Sequence, residues 1–146
     1  MPVELYDRFL DTDFTYADLG FVRLHENYKL LGEENFGGVR AYKVEESFPH
    51  ERSHYSRIII WVAADSLLPL QREYFDTGGK PWKTERFQEV VTINNIPTPL
   101  LIQMKDRDGN STELKVTELQ YDVKISDDLF DPNRLPKAVD SPIWKR

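Results

Sequence analysis

The string His-Glu-Arg-Ser-His at residues 50–54 has the HExxH spacing with which zinc peptidases bind their metal. In those enzymes an α-helix brings both imidazoles to one zinc ion, and the glutamate activates the zinc-bound water. Here Pro49 precedes the string, and the β-branched and aromatic run RIIIWV at residues 57–62 follows almost at once, which is strand composition. Arg57 and Ile60 also stand where a glycine and a third histidine would complete a longer zinc motif. We therefore predict a polar loop between two strands and keep a zinc peptidase only as a third alternative.

The segment DRDGNSTE at residues 106–113 alternates acidic and amide side chains as a calcium-binding loop does. The calcium pattern fails, because Gly109 is at its fourth position rather than its sixth and Thr117 is at its twelfth, where a glutamate is required. An Asp-Gly turn joining two strands explains the segment better. We expect no metal here.

The rest of the chain offers little to catalysis. Adjacent acids such as Glu33-Glu34 and Glu45-Glu46 point to opposite faces of a strand and cannot converge on one substrate atom. There are three histidines and no cysteine, and no nucleophile triad, phosphate loop or dinucleotide motif is present. The sequence predicts a protein that is not an enzyme and that has no cofactor.

Length and composition predict one domain with a true core. The chain has 146 residues, of which 40% are hydrophobic, and a net charge of -6 with no basic stripe. This balance argues against a nucleic-acid partner. The longest apolar run, residues 58–64, is far shorter than the roughly 20 residues of a membrane-spanning helix.

The elements that must position any site are mainly strands. Apolar and polar residues alternate with period two between turn residues, which predicts a mainly β (α+β) fold with an antiparallel meander. The expected strands are Tyr28–Glu34, Val39–Phe48, Ser56–Ala63, Leu70–Asp76, Lys83–Ile93, Leu100–Asp106 and Glu113–Asp122.

The connections carry their own signals. Gly-Gly or Asp-Gly pairs predict hairpin turns in NFGGVR, DTGGKP and DRDGNS. Pro97 and Pro99 lack ladder donors, so we expect the chain to turn round a sheet corner or edge there. Two short helices are expected, one capped by Asp13 or Thr15 and ended by Gly20, the other beginning after Ser126.

Alternate residues of the strands form an apolar band, which we predict to be the ligand-binding face. Phe75 is an alternative to Leu70 on the fourth strand, and Ile59 and Trp61 make the opposite face partly apolar as well. A strongly curved sheet with a concave cavity fits this pattern. Two short helices are inadequate cover for such a band, which favours a ligand or a partner on it, but a plain core closed by helices remains an equal interpretation. The predicted face consists of Ile58, Ile60, Val62, Leu70, Phe87, Val91, Ile102, Met104, Leu119 and Tyr121.

The order of motifs along the chain indicates a resemblance to a protein family. The chain contains DTDFTYADL, then YSRIIIWVAADSLLPLQREYFDTGGKPWKTERFQEV, then IPTPLLIQMKDRDGNSTELKVTELQYDVKISDDLFDPNRL. In these segments it resembles the outer-membrane lipoprotein-sorting protein family, the LolA-like group. The resemblance implies a half-barrel antiparallel sheet, lidded by helices, that shelters the acyl chains of a lipoprotein or lipid in the periplasm. Envelope transport proteins are then expected partners.

Members of that family are longer at the N-terminus, so the chain resembles the C-terminal part of one, a truncated single-domain half-barrel over residues 1–146. Exposed sheet edges in such a piece predict pairing into a homodimer. The alternative function is a non-catalytic structural or interaction domain of an envelope complex, in which the same face binds a protein.

Overall fold

The protein is represented by a computed structural model that describes residues 7–19, 27–48 and 54–125. In this part of the chain, seven strands form one antiparallel sheet in which each strand pairs with the next in sequence. The strands are β1 (Asn27–Phe36), β2 (Val39–Ser47), β3 (Tyr55–Ala63), β4 (Pro69–Asp76), β5 (Pro81–Ile93), β6 (Ile96–Asp106) and β7 (Ser111–Lys115). The meander and all seven predicted strands are confirmed, although β7 ends well before Asp122.

The three glycine turns are hairpins, as predicted. Gly38, Gly79 and Gly109 have φ of 92°, 76° and 91°, in the left-handed region that glycine adopts without strain. In the β6–β7 turn, Asp106 Oδ1 accepts the backbone N–H groups of Asp108 and Asn110 at 2.9 and 2.8 Å. The segment therefore has the local structure of a hairpin.

Of the corner or edge expected at Pro97 and Pro99, the structure shows the edge: both prolines lie inside β6 and pair with Thr92 and Val90 of β5. Two asparagines with positive φ make the turn before them. β7 pairs only with Leu101–Lys105, so among the described residues the start of β6 has a strand on one side alone. Prolines two apart direct their missing N–H groups to the same side, and that side needs no donor here.

The described residues test only one of the two predicted helices. Residues 16–19 form a turn rather than a helix, and Thr15 caps this turn as predicted, because its hydroxyl accepts the Asp18 backbone N–H at 3.3 Å while Asp18 Oδ2 accepts the Thr15 backbone N–H at 2.7 Å. The helix expected after Ser126, like Gly20, lies outside the described residues. The part of the chain that the structure describes has no helix long and apolar enough to cross a membrane.

The sheet has two faces, each with its own cluster. We call the front face the one that carries the buried cluster of Phe14, Tyr55, Ile58, Tyr74 and Met104. The back face carries the cluster of Ile59, Trp61 and Phe75. Consecutive strand residues alternate between the two faces.

Candidate functional site

Residues 7–19 cover one end of the front face. Phe14 is completely buried among the front-face cluster. Beside it, the Asp13 backbone N–H donates to Thr112 Oγ1 at 3.1 Å, and the Thr112 hydroxyl donates to Asp13 Oδ2 at 2.7 Å. These hydrogen bonds therefore join residues 7–19 to β7, the last strand of the described sheet.

A buried ion pair fixes the same segment to β5. Lys83 Nζ lies 2.6 Å from Asp18 Oδ2, and the two side chains are 3% and 1% exposed. Asp18 also accepts the Tyr55 hydroxyl at 2.8 Å and the Thr15 backbone N–H at 2.7 Å. Lys83 donates a further bond to the Asp13 carbonyl at 3.2 Å. Both charges are thus paired and hydrogen-bonded, as burial requires.

A second polar network lies next to the first. The Tyr74 hydroxyl donates to Glu85 Oε2 at 2.7 Å, and Arg72 Nη1 donates to the same oxygen at 3.3 Å. Burial raises the pKa of the Glu85 carboxyl above its ordinary 4.5, although Arg72 and Tyr74 act to lower it. Burial also raises the pKa of the Tyr74 hydroxyl well above 10.0, so this group remains a donor.

The Arg72–Glu85 pair interrupts an apolar row across the front face. Direct cross-strand partners in this row are Leu30, Val44, Ile60, Arg72, Glu85, Met104 and Thr112. From Ile60 toward β1 the row becomes more exposed and ends at Leu30, which is 61% exposed. A partly open apolar surface therefore begins where the cover of residues 7–19 ends.

The structure brings together most of the predicted ligand-binding face. Ile58 and Met104 are buried in the front-face cluster, and Ile60 and Ile102 pack against it half-buried. These four belong to one continuous apolar surface, but Ile58 and Met104 are its core.

Phe87, Val91 and Val62 extend the surface away from residues 7–19. Phe87 lies directly opposite Ile102, and the β5–β6 register stays in phase as far as Val91, so both side chains are on the front face. Val62 is half-buried and follows Ile60 on the same face of β3. We define the open front surface as Leu30, Val44, Ile60, Val62, Phe87, Val91 and Ile102.

The other three predicted residues are not part of the same strand rows. Leu70 is left unpaired at an irregularity in the β3–β4 register and packs against the back-face cluster, so it does not share the face predicted for it. Leu119 and Tyr121 are beyond the end of β7. Tyr121 still reaches the front face, because its hydroxyl lies 2.8 Å from Oγ1 of Thr98, the cross-strand partner of Val91.

Sequence reasoning missed the charged residues of the site. Arg72, Lys83 and Glu85 lie on the same alternation phase as the front-face aliphatic residues, but they were not singled out from the sequence. The sequence does carry a signal for them, namely a charged residue at a strand position whose alternate neighbours are apolar. A charged side chain at such a position is buried only when it is paired.

Apolar side chains of the back face pack against one another. Ile59, Trp61 and Phe75 are buried, and Phe36 and Leu70 pack against them. Toward β7 the back face has a cleft of about 390 Å³, which is lined by Pro81 and Trp82 together with polar and charged residues that include Glu73, Thr84, Arg86, Gln103 and Lys105. The open apolar surface is therefore on the front face.

The HExxH string falls in the connection between β2 and β3. His54 is in a bend directly before Tyr55, the first residue of β3, and residues 49–53 lie outside the described part. A helix cannot continue through His54. Among residues 7–19, 27–48 and 54–125, no group of three or more His, Cys, Asp or Glu side chains could hold a metal ion.

This open antiparallel sheet is similar to three solved structures. One is a domain from Vibrio parahaemolyticus named for outer-membrane lipoprotein sorting, with a TM-score of 0.84, 23% identity, and coverage of 90% of this chain and 57% of that chain. A DUF1329 family protein from Desulfovibrio piger has a TM-score of 0.81 and 28% identity, over 92% and 58%. A LolA superfamily protein from Nitrosomonas europaea has a TM-score of 0.73 and 20% identity, over 88% and 60%. The chain spans less than two thirds of each.

These similarities confirm the expected LolA-like half-barrel fold, carried by a mainly β, antiparallel sheet. The chain belongs to the family whose sequence model matches residues 2–137, which is described as "Uncharacterized protein". A comparison with curated proteins finds no match.

Proposed function

We propose that the protein is a non-catalytic carrier that shelters the acyl chains of a lipoprotein, lipid or similar amphiphile on the open front surface. The observation that carries this proposal is the partly open apolar surface beside the covered end of the same sheet face. The fold supports it, since the Vibrio domain is named for lipoprotein sorting and the Nitrosomonas protein belongs to the LolA superfamily.

The binding energy would come from burial of apolar area. Each methylene group removed from water contributes about 0.8 kcal/mol, so affinity should rise with chain length. The surface offers Ile60, Phe87 and Val91 on adjacent parts of one face for such contact. The same likeness leads us to propose a periplasmic location and envelope transport partners.

Two neighbouring valines on β5 give a matched test. Val91 is on the front face and 39% exposed, whereas Val90 is on the back face and 47% exposed. Val91→Asp should weaken binding of a fluorescent fatty-acid probe at least several-fold, because it places a charge against the acyl chain. Phe87→Asp should do the same, and Val90→Asp should bind as wild type does.

Circular dichroism and urea unfolding show whether each variant remains folded. Equal binding by the folded Val91→Asp and Val90→Asp proteins would refute the choice of face. Native mass spectrometry of the purified protein should recover bound lipid.

A second candidate function is the docking of a strand from another protein at the sheet edge formed by β1. β1 is an outer strand of the described sheet, and its Leu30 and Leu31 are 61% and 44% exposed. Edge strands expose backbone groups that pair readily with another chain. A stable homodimer or protein partner without bound lipid, detected by light scattering and native mass spectrometry, would favour this function over the carrier.

A further inference from the structure

Arg72 is the one cation of the second polar network, and it borders the open front surface. Its direct cross-strand neighbours are Ile60 on β3 and Glu85 on β5. The centre of its guanidinium lies 5.2 Å from the centroid of the Phe87 ring. An acyl chain resting on Ile60 and Phe87 would therefore lie beside this guanidinium.

The hydrogen bonds of Arg72 are incomplete within the described residues. A guanidinium has five N–H donors, and Nη1 donates to Glu85 Oε2 at 3.3 Å. The Nε atom is buried and has no hydrogen-bond partner. Buried donors normally have an acceptor, and the Arg72 side chain as a whole is 19% exposed beside the apolar surface, so an acceptor from another molecule that reaches it would be stabilised.

The negative charges near Arg72 indicate which kind of acceptor would bind to its guanidinium. Glu85 pairs with the guanidinium, and the carboxyl of Glu46 also acts on it electrostatically. The positive charge of Arg72 is thus already met by two acids. A third anion would be held close to both carboxylates, whereas a neutral carbonyl oxygen accepts an N–H without added charge.

We propose that Arg72 determines ligand specificity by donating a hydrogen bond to the neutral ester or amide carbonyl at the head of a bound acyl chain. This rests on the proposed acyl-binding function. It distinguishes esterified or amide-linked chains from free fatty acids and from simple alkyl chains.

Two neutral lipids that differ in one carbonyl test the proposal. A monoacylglycerol and the glycerol ether of the same chain length are titrated against the full chain, below the concentrations at which they form micelles. Wild type should prefer the ester by about two- to tenfold, the factor that one net hydrogen bond gives. The fatty acid of the same chain should bind no more tightly than the ester.

Arg72→Lys keeps a cation facing Glu85 but removes Nε and the planar fork, so it should lose most of the preference while still binding the ether. Arg72→Met is the second variant, with a side chain of similar shape and no donors. Arg86→Lys is the control, because Arg86 lies on the back face and donates to Gln71 Oε1 at 2.9 Å. Its preference should match that of wild type.

The outcomes separate the two proposals. If wild type binds ester and ether equally, or if both Arg72 variants keep the preference, the role of Arg72 is refuted and the carrier remains. A fatty acid that binds more tightly than the ester would refute the selection for a neutral acceptor. If wild type binds none of the three lipids, the acyl-binding function itself fails.

Discussion

The Lys83–Asp18 pair should hold residues 7–19 on the front face, and truncating either partner should destabilise the protein strongly. Lys83 Nζ lies 5.3, 5.2 and 5.3 Å from the ring centroids of Tyr55, Tyr74 and Trp82. The ammonium is thus surrounded by aromatic side chains and has little access to water. Its charge depends on the carboxylate 2.6 Å away.

The expected magnitude follows from this burial. Removing one partner of a buried, hydrogen-bonded pair typically costs about 3–5 kcal/mol, because the other charge is left uncompensated. Lys83→Met should lie at the lower end, since Asp18 keeps the Tyr55 hydroxyl and the Thr15 N–H as donors. Asp18→Asn leaves the Lys83 ammonium with neutral acceptors such as the Asp13 carbonyl and no opposite charge, so it should lie at the upper end.

Urea unfolding of wild type, both single variants and the double variant forms a mutant cycle. The double variant should be more stable than the sum of the single losses predicts, by about 2 kcal/mol, because no unpaired charge then remains. Lys115→Met is a control on an exposed pair, with Lys115 and Glu89 65% and 48% exposed and their charged atoms 3.6 Å apart. That change should alter the free energy of unfolding by less than about 1 kcal/mol.

Additive losses in the cycle, within about 0.5 kcal/mol, would refute the coupling. Losses for Lys83→Met no larger than for Lys115→Met would refute the burial argument as well. Limited proteolysis adds a local readout, since residues 7–19 should become cleavable in the single variants before the sheet unfolds.

Three further changes test the packing, the turn and the titration. Met104→Ala, at a completely buried position, should lower the free energy of unfolding by about 2–5 kcal/mol in urea titrations. Gly109→Ala should destabilise by more than about 1 kcal/mol in the same assay, because φ is 91° although the added methyl group meets no atom within 4 Å. Burial raises the pKa of Glu85, so between its ordinary 4.5 and the raised value the native state binds a proton that the unfolded chain has lost, and this group's contribution to stability falls as pH rises. Subtracting the pH profile of Glu85→Gln from that of wild type should isolate this fall, since Asp76 and Asp106, whose pKa values are lowered, contribute with the opposite sign to both profiles.

The sheet was predictable because its signals are local. Glycines at turn positions and apolar alternation within each strand need no distant partner to take effect, and the hairpins at Gly38, Gly79 and Gly109 follow from them. At residues 13–19 the same local reasoning predicted the turn that Thr15 caps, but it also predicted a helix, which these residues do not form. Asp18 resembles a residue of a capped helical turn in sequence, but its carboxylate pairs with Lys83, which is 65 positions away. A partner at that distance in sequence is visible only once the sheet has formed.

The end of β7 shows the same limit. Residues 113–122 have strand-like composition, yet the strand stops at Lys115. Val116 N still donates to the Leu100 carbonyl at 2.8 Å, and beyond it Asp122 has a positive φ of 58°. Tyr121 then bonds to Thr98 through its side chain instead of continuing the ladder. A side-chain bond competes here with strand pairing, and composition does not reveal which one prevails.

In the candidate site, too, local sequence patterns predicted some features and missed others. Alternation correctly placed Ile58, Ile60, Ile102 and Met104 on one face, because burial of apolar side chains follows from period two. It could not show that Tyr74 joins two polar networks on that face. The Tyr74 hydroxyl donates to Glu85, while its ring lies beside the Lys83 ammonium that holds residues 7–19. Through Tyr74, the pair that fixes the cover contacts the pair that borders the open surface, so the position of residues 7–19 and the environment of Arg72 are physically linked.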